Sequence, residues 1–167
     1  MGYGFPAALG AKLGNPERDV ITICGDGGIQ MNIQEMATAI VYELPVIICI
    51  LNNGYLGNVR QWQEMFYGRR YSSTCMRYRK SCPMTCNTPS DYCPEYTPNF
   101  VQLAGSYGAK AIRVQKYEEI ESALLEAKST EKVPTVIEFI IGREENVLPI
   151  VAPGNPLSDM IMGGDKK

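Results

Sequence analysis

Apolar runs and amphipathic stretches alternate along the chain. Asp19 to Cys24 and Val46 to Leu51 are short, β-branched apolar runs, the pattern of buried strands. Between them Ile29, Ile33, Met36, Ala37, Ile40, Val41 and Leu44 recur at helical spacing, which predicts a helix over 29–43 stopped by Pro45. Before this unit, Met1 to Lys12 reads as a loop entering a small-residue helix, with Pro6 in its first turn and Gly14-Asn15-Pro16 ending it. Such a helix start packs closely against something: a cofactor, another backbone, or the sheet alone. After the unit, Asn58 is the expected start of a helix carrying Val59, Trp62 and Phe66 on one face. The ordinary reading of that stripe is a core face. Thr97-Pro98 would cap and open the next helix, with an apolar stripe from Phe100 to Tyr107 and Gly108 as its stop. A strand at 109–114 follows, then an amphipathic helix over Glu118–Lys128 with acids early and Lys128 late, then a strand over Pro134–Ile141. The order is α-β-α-β-α-α-β-α-β. It predicts an α/β fold: a doubly wound parallel sheet with helices on both faces.

The strand–helix–strand unit carries the chemistry. Gly25-Asp26-Gly27-Gly28 follows the first strand, and Asn52-Asn53 ends the second. Parallel neighbours bring Asp26 and Asn53 to the carboxyl edge of the sheet, where open α/β folds bind ligands. A carboxylate and an amide oxygen are hard ligands suited to Mg²⁺. Gly27 and Gly28 let backbone N–H groups approach a phosphate. Together they read as a metal–diphosphate cradle.

At 167 residues the chain is about one domain. Its net charge of −2 gives no electrostatic case for nucleic acid. No apolar run is long enough to span a membrane, and the start lacks the basic and apolar regions of a signal peptide. The absence of histidine excludes histidine-based acid–base catalysis, histidine metal ligands and a Ser-His-Asp triad within this chain.

GDG, 24 residues (28–51) and then NN resembles the thiamine diphosphate (ThDP) motif. The resemblance implies that Asp26, Asn53 and the Tyr55 carbonyl bind Mg²⁺; Asn52 reads instead as a strand-end hydrogen bond. More narrowly, MGYGFPAALGAK, GDGG, NNGYLGNVRQWQEMFYGRRYS and VLPIVAPGNPLSDMI are similar to the C-terminal domain of acetolactate (acetohydroxyacid) synthase catalytic subunits. That resemblance implies a cofactor site of Met1, Gly25, Asp26, Gly27, Gly28, Asn53, Tyr55, Gly57 and Val59, with Trp62 lining the pocket for the second 2-ketoacid. Family members often carry Met where this chain has Asn58. The implied activity is decarboxylation of pyruvate and its condensation with pyruvate or 2-ketobutyrate, a two-carbon acyl transfer in branched-chain amino acid biosynthesis. The family implies a cytoplasmic homodimer or tetramer, N-terminal and middle domains in the same or a separate chain, a small regulatory subunit, and FAD in the full enzyme rather than on this domain. The family's activating Glu lies in the N-terminal domain, and neither Glu35 nor Glu64 sits in its motif. The expectation is therefore that the chain is a fragment or half of a split enzyme, inactive alone. Two alternatives stand beside this: another ThDP-dependent 2-ketoacid decarboxylase, and a non-catalytic metal-binding or assembly module.

The expected division is a cofactor-binding domain at 1–150 and a tail at 151–167, mobile by itself. Within the domain, 71–96 reads as an insertion with Cys75-x6-Cys82-x3-Cys86-x6-Cys93. A structural metal (Zn²⁺ or an iron–sulfur cluster), free thiols and two disulfides are the three readings of those cysteines. The nearby Arg69, Arg70, Arg77, Arg79 and Lys80 read as a solvated rim. Cys24 and Cys49, inside strands, read as small buried hydrophobes.

Overall fold

The computed structural model describes residues 1–83, 86, 92–96 and 98–163. Four strands form one parallel sheet: β1 (Ile21–Gly25), β2 (Ile47–Asn52), β3 (Lys110–Val114) and β4 (Thr135–Ile140), in the spatial order β1-β2-β4-β3. The fold class is the predicted one. Helices lie on both faces: α1 (Gly4–Gly14), α2 (Asp26–Ile29), α3 (Glu35–Val41), α4 (Gly57–Phe66), α5 (Phe100–Ser106) and α6 (Ile120–Lys128).

Each face has its own core. Phe5 and Leu9 of α1, Met36 and Ala39 of α3, and Phe100 and Ala104 of α5 pack with Val46, Ile48, Ile50 and Val136. On the other face Ala123 and Ala127 of α6 cover Ile47, Cys49, Val114 and Ile137. Alternate residues of β2 thus serve opposite cores, which is why its sequence is a continuous apolar run. The small residues of α1 seat it on the sheet: a Cβ on Gly4 would lie 3.1 Å from Thr22 Oγ1 of β1.

Four expectations are corrected. The helix over 29–43 is two helices separated by a 3-10 turn at Gln30–Asn32. Asn58 caps nothing, because α4 begins at Gly57 after Leu56. The apolar stripe of α4 is no core face: Val59, Trp62 and Phe66 are 46%, 44% and 37% exposed, while Arg60 and Gln61 are buried. The boundary at 150 falls inside a hairpin, in which Ile150–Val151 (β5) pairs antiparallel with Met160–Ile161 (β6). The expected cap Thr97 lies outside the described residues; Asn99 caps α5, its side chain accepting from the Gln102 N–H.

Candidate cofactor site

β1 and β2 are neighbours in register, with Gly25 opposite Leu51. The residues that follow, Asp26 on one side and Asn52-Asn53 on the other, therefore meet at the carboxyl edge. Gly25 leaves the strand with extended backbone, and α2 starts at once. Asp26 is 2% exposed. Its Oδ2 accepts the Gly54 N–H at 3.0 Å, which ties the turn after β1 to the turn after β2. Gly54 has φ +72°, a conformation glycine adopts without strain. Burial holds the Asp26 carboxyl above the ordinary carboxylate range, against the lowering effect of the Gly27 and Gly54 N–H groups and of Tyr96.

The second turn is fixed from two sides. Asn53 Oδ1 accepts the Tyr55 N–H at 2.9 Å, and Asn52 Oδ1 accepts the Gly54 N–H at 3.0 Å. Asn52 Nδ2 donates to Glu138 Oε1 of β4 at 2.7 Å, and Glu138 Oε2 accepts from Arg113 Nε of β3 at 2.8 Å. The strand-end reading of Asn52 is what the geometry shows. Glu138, missed in the sequence, is its buried anchor; an acid inside the otherwise apolar run 134–141 was the available signal. A Cβ on Gly57 would sit 3.0 Å from Asn53 Nδ2, so glycine there leaves room for the amide.

These residues fit a divalent cation with a diphosphate. Asp26 is a buried carboxylate, and among the described residues no lysine or arginine pairs with it. An uncompensated buried charge is costly, and a metal ion is the natural compensation. Asn53 adds a neutral oxygen beside it. The Cβ direction at Gly28 is open, so an anion has room to approach there. At Gly27 the same direction is filled by Leu56 Cδ2 at 2.8 Å and Met76 Sδ at 3.2 Å.

The remaining expected residues divide. Tyr55 is buried; Val59 and Trp62 lie exposed on the helix that follows. Met1 is 90% exposed, but Gly2 is anchored beside the cradle, its carbonyl accepting from Asn32 Nδ2 at 2.7 Å. The four cysteines of the Cys-rich segment are not drawn together. Among the described residues no three His, Cys, Asp or Glu side chains converge as metal ligands, and no disulfide is present. Cys75 instead forms a β-bridge with Tyr55. A cavity of about 510 Å³ lies away from the cradle, at the amino ends of β1 and β2 against α6.

The cradle agrees with what the chain resembles. Residues 1–139 match the family of the thiamine pyrophosphate enzyme C-terminal TPP-binding domain. The chain is 44% identical over 160 residues to an acetolactate synthase large subunit of Corynebacterium glutamicum, covering 96% of this chain and 23% of that protein. It is 40% identical over 162 residues to the corresponding subunit of Haemophilus influenzae, covering 97% of this chain and 25% of that one. Among solved structures it resembles a thiamine diphosphate-dependent 4-hydroxybenzoylformate decarboxylase of Rhodococcus jostii, with a TM-score of 0.69 and 30% identity over 87% of this chain and 24% of that chain. The chain spans about a quarter of the length of the curated relatives it matches. Its buried aspartate, its paired asparagines and the family match over 1–139 agree: the chain belongs to the thiamine pyrophosphate enzymes, as their C-terminal TPP-binding domain.

Proposed function

We propose that this chain is the ThDP- and Mg²⁺-holding domain of an acetolactate synthase catalytic subunit. The observation that carries the reading is Asp26: a buried carboxylate without a cationic partner, at the strand edge beside Asn53, in a chain 44% identical to one such subunit. Asp26, Asn53 and the Tyr55 carbonyl would hold Mg²⁺, and the backbone of Gly27 and Gly28 would receive the diphosphate. Bound ThDP supplies the electron sink for decarboxylating a 2-ketoacid. The residues of this chain hold and orient it, and the Asn52–Glu138–Arg113 relay keeps the Gly54 turn in place. Val59 and Trp62, one turn apart and both exposed on α4, would face the cofactor and the second 2-ketoacid. An aromatic surface left open on a helix next to a ligand site suits that role.

The same reading makes 2-ketoacids the substrates and the N-terminal and middle domains the partners, in a dimer or tetramer in the cytoplasm with a small regulatory subunit. Any FAD would be held outside this domain. Residues 71–96 remain an insertion in this reading, and a metal there would need the cysteines to rearrange. The chain is mixed with a separately made N-terminal portion of a synthase, Mg²⁺, ThDP and pyruvate, and acetolactate is measured. Acetolactate from the mixture and none from the chain alone is expected. Synthesis by the chain alone would overturn the view that the activating acid is supplied from elsewhere. A mixture that binds the cofactor and only releases aldehyde from 2-ketoacids would favour a decarboxylase.

A further inference from the structure

We propose that Arg60 and Gln61 are positioning residues for the acceptor pocket: through them the segment after β4 sets the pose of α4, and with it the direction in which Trp62 points. This rests on the reading of Trp62 given above and adds what holds that tryptophan in place. The buried residues of α4 are both polar, Arg60 and Gln61, each 4% exposed. Val59, Trp62 and Phe66 lie on the opposite side of the helix. At about 100° per residue, positions 60–61 and positions 59, 62 and 66 are roughly half a turn apart. What grips Arg60 and Gln61 therefore decides where the exposed aromatic face looks.

The grip comes from 144–147. Gln61 meets Val147 as one peptide meets another: Nε2 donates to the Val147 carbonyl at 2.8 Å and Oε1 accepts its N–H at 3.0 Å. The Arg60 guanidinium pairs with Glu144 through Nη2 and with Glu64 through Nη1 at 3.4 Å. It also lies against the rings of Tyr55 and Tyr71. Asn146 Nδ2 donates to Glu64 Oε2 at 3.3 Å, so the segment meets α4 at 60, 61 and 64, all on one side. The start of the same segment is tied to the cradle, where the Ile141 N–H donates to the Asn52 carbonyl at 3.1 Å. Tyr55, against the guanidinium, belongs to the turn that would carry the metal. Segment 141–147 is thus a strap between the cofactor turn and the buried side of α4. A doubly hydrogen-bonded amide and a charge set against two rings allow one rotation of the helix; without them α4 is free to roll and Trp62 turns with it.

Trp62 is the one tryptophan of the chain, so its fluorescence reports on this residue alone. Anisotropy decay is recorded on the full 167-residue chain for wild type, Gln61→Met, Glu144→Gln, Glu145→Gln and Ala123→Gly. Gln61→Met keeps the length of the side chain and loses both bonds to Val147, which is 71% exposed and can turn its main chain to water. Glu144→Gln removes one charge at a side chain that is 56% exposed. Both variants should stay folded, which circular dichroism checks. Glu145→Gln alters an exposed neighbour in the same segment. Ala123→Gly weakens α6 on the other face of the sheet, a loss of stability remote from α4. The nanosecond wobble of Trp62 should grow in Gln61→Met and Glu144→Gln and stay as wild type in the other two. In the mixture with an N-terminal portion, Mg²⁺ and ThDP, pyruvate and 2-ketobutyrate are supplied together and the two products compared. The preference for the acceptor with one more methylene should fall about tenfold in the two strap variants only. Unchanged wobble in both strap variants overturns the proposal, whether or not the mixture is active. Greater wobble with an unchanged product ratio overturns it too, because the pose of Trp62 then does not shape the pocket. An equal rise in Ala123→Gly would mark general loosening and overturn it as well. If the wild-type mixture forms no product, the synthase reading fails instead, and the wobble alone decides whether the strap sets α4.

Discussion

Glu138 is the group whose removal should cost the site most without touching a cofactor ligand. It is 2% exposed and accepts from Asn52 Nδ2 at 2.7 Å and Arg113 Nε at 2.8 Å. In Glu138→Ala the Asn52 amide, itself buried, keeps a donor with nothing to receive it, which costs about 1–3 kcal/mol. Truncating a fully buried side chain in β4 adds about 1–2 kcal/mol for the lost contacts and the space left behind. The Arg113 contact is discounted to about 0–1 kcal/mol because Arg113 is 38% exposed. The expected loss is about 2–6 kcal/mol, a large share of the ~5–15 kcal/mol typical of a domain. It would lower the melting temperature by about 4–24 °C. Glu138→Gln keeps an acceptor for Asn52 and should lose only about 1 kcal/mol. Urea unfolding followed by circular dichroism measures both, with the slope against urea unchanged if the two states are unaltered. A loss below about 1 kcal/mol in Glu138→Ala would refute the claim that this acid anchors the turn.

Asp26 sets a pH dependence in the metal-free chain. Its folded-state carboxyl is raised by burial, so the folded state holds the proton more tightly than the unfolded one. The stability this confers is complete below the ordinary carboxylate range and is lost as pH rises through the raised value. Asp26→Asn should flatten that slope in denaturation curves across mildly acidic pH; an identical slope would show that another group sets it. Arg60 is 4% exposed, lies 5.1 Å from the Tyr55 ring centre and 4.6 Å from that of Tyr71, and pairs with Glu64 and Glu144. Arg60→Ala should lose about 3–4 kcal/mol and Arg60→Lys should recover only part, since an ammonium cannot stack between two rings. Full recovery by lysine would make the charge alone sufficient. Burial first, then Cys49 and Asp26, push the Cys24 thiol up to about 12, and burial raises Cys49. Native labelling with a thiol reagent at pH 8 should leave both unmodified by mass spectrometry; labelling as fast as in the unfolded chain would contradict their burial.

The sheet was legible because its strands are rich in β-branched apolar residues: 46–51 is an uninterrupted apolar run, and 19–24 and 134–141 are broken only by Asp19 and Thr22 and by Thr135 and Glu138. Asp26 and Asn53 were legible because their spacing spans one strand–helix–strand unit. What failed depends on partners far along the chain. The helix over 29–43 breaks where Gln30 turns its side chain to the Asp26 carbonyl and Tyr96, and where Asn32 reaches the Gly2 carbonyl. Such side-chain bonds compete with the helix ladder. Helix α4 turns its polar face inward because Arg60 meets Glu144 and Gln61 exchanges hydrogen bonds with the main chain of Val147, at 2.8 and 3.0 Å. No periodicity announces a buried arginine that pairs with Glu144, 84 residues away. The cysteine spacing suggested a cluster, yet backbone pairing of Thr74 to Met76 with the Gly54 turn places Cys75 against Tyr55 instead.

The central claim is that Asp26 and Asn53 frame a Mg²⁺-dependent thiamine diphosphate site. Calorimetric titration of the chain with ThDP, with and without Mg²⁺, tests it most directly when wild type and Asp26→Ala are compared, each with and without a separately made N-terminal domain. Binding that requires Mg²⁺ and disappears in Asp26→Ala is expected. Binding that persists without Mg²⁺ or in Asp26→Ala, or no binding even with the N-terminal domain present, would contradict it.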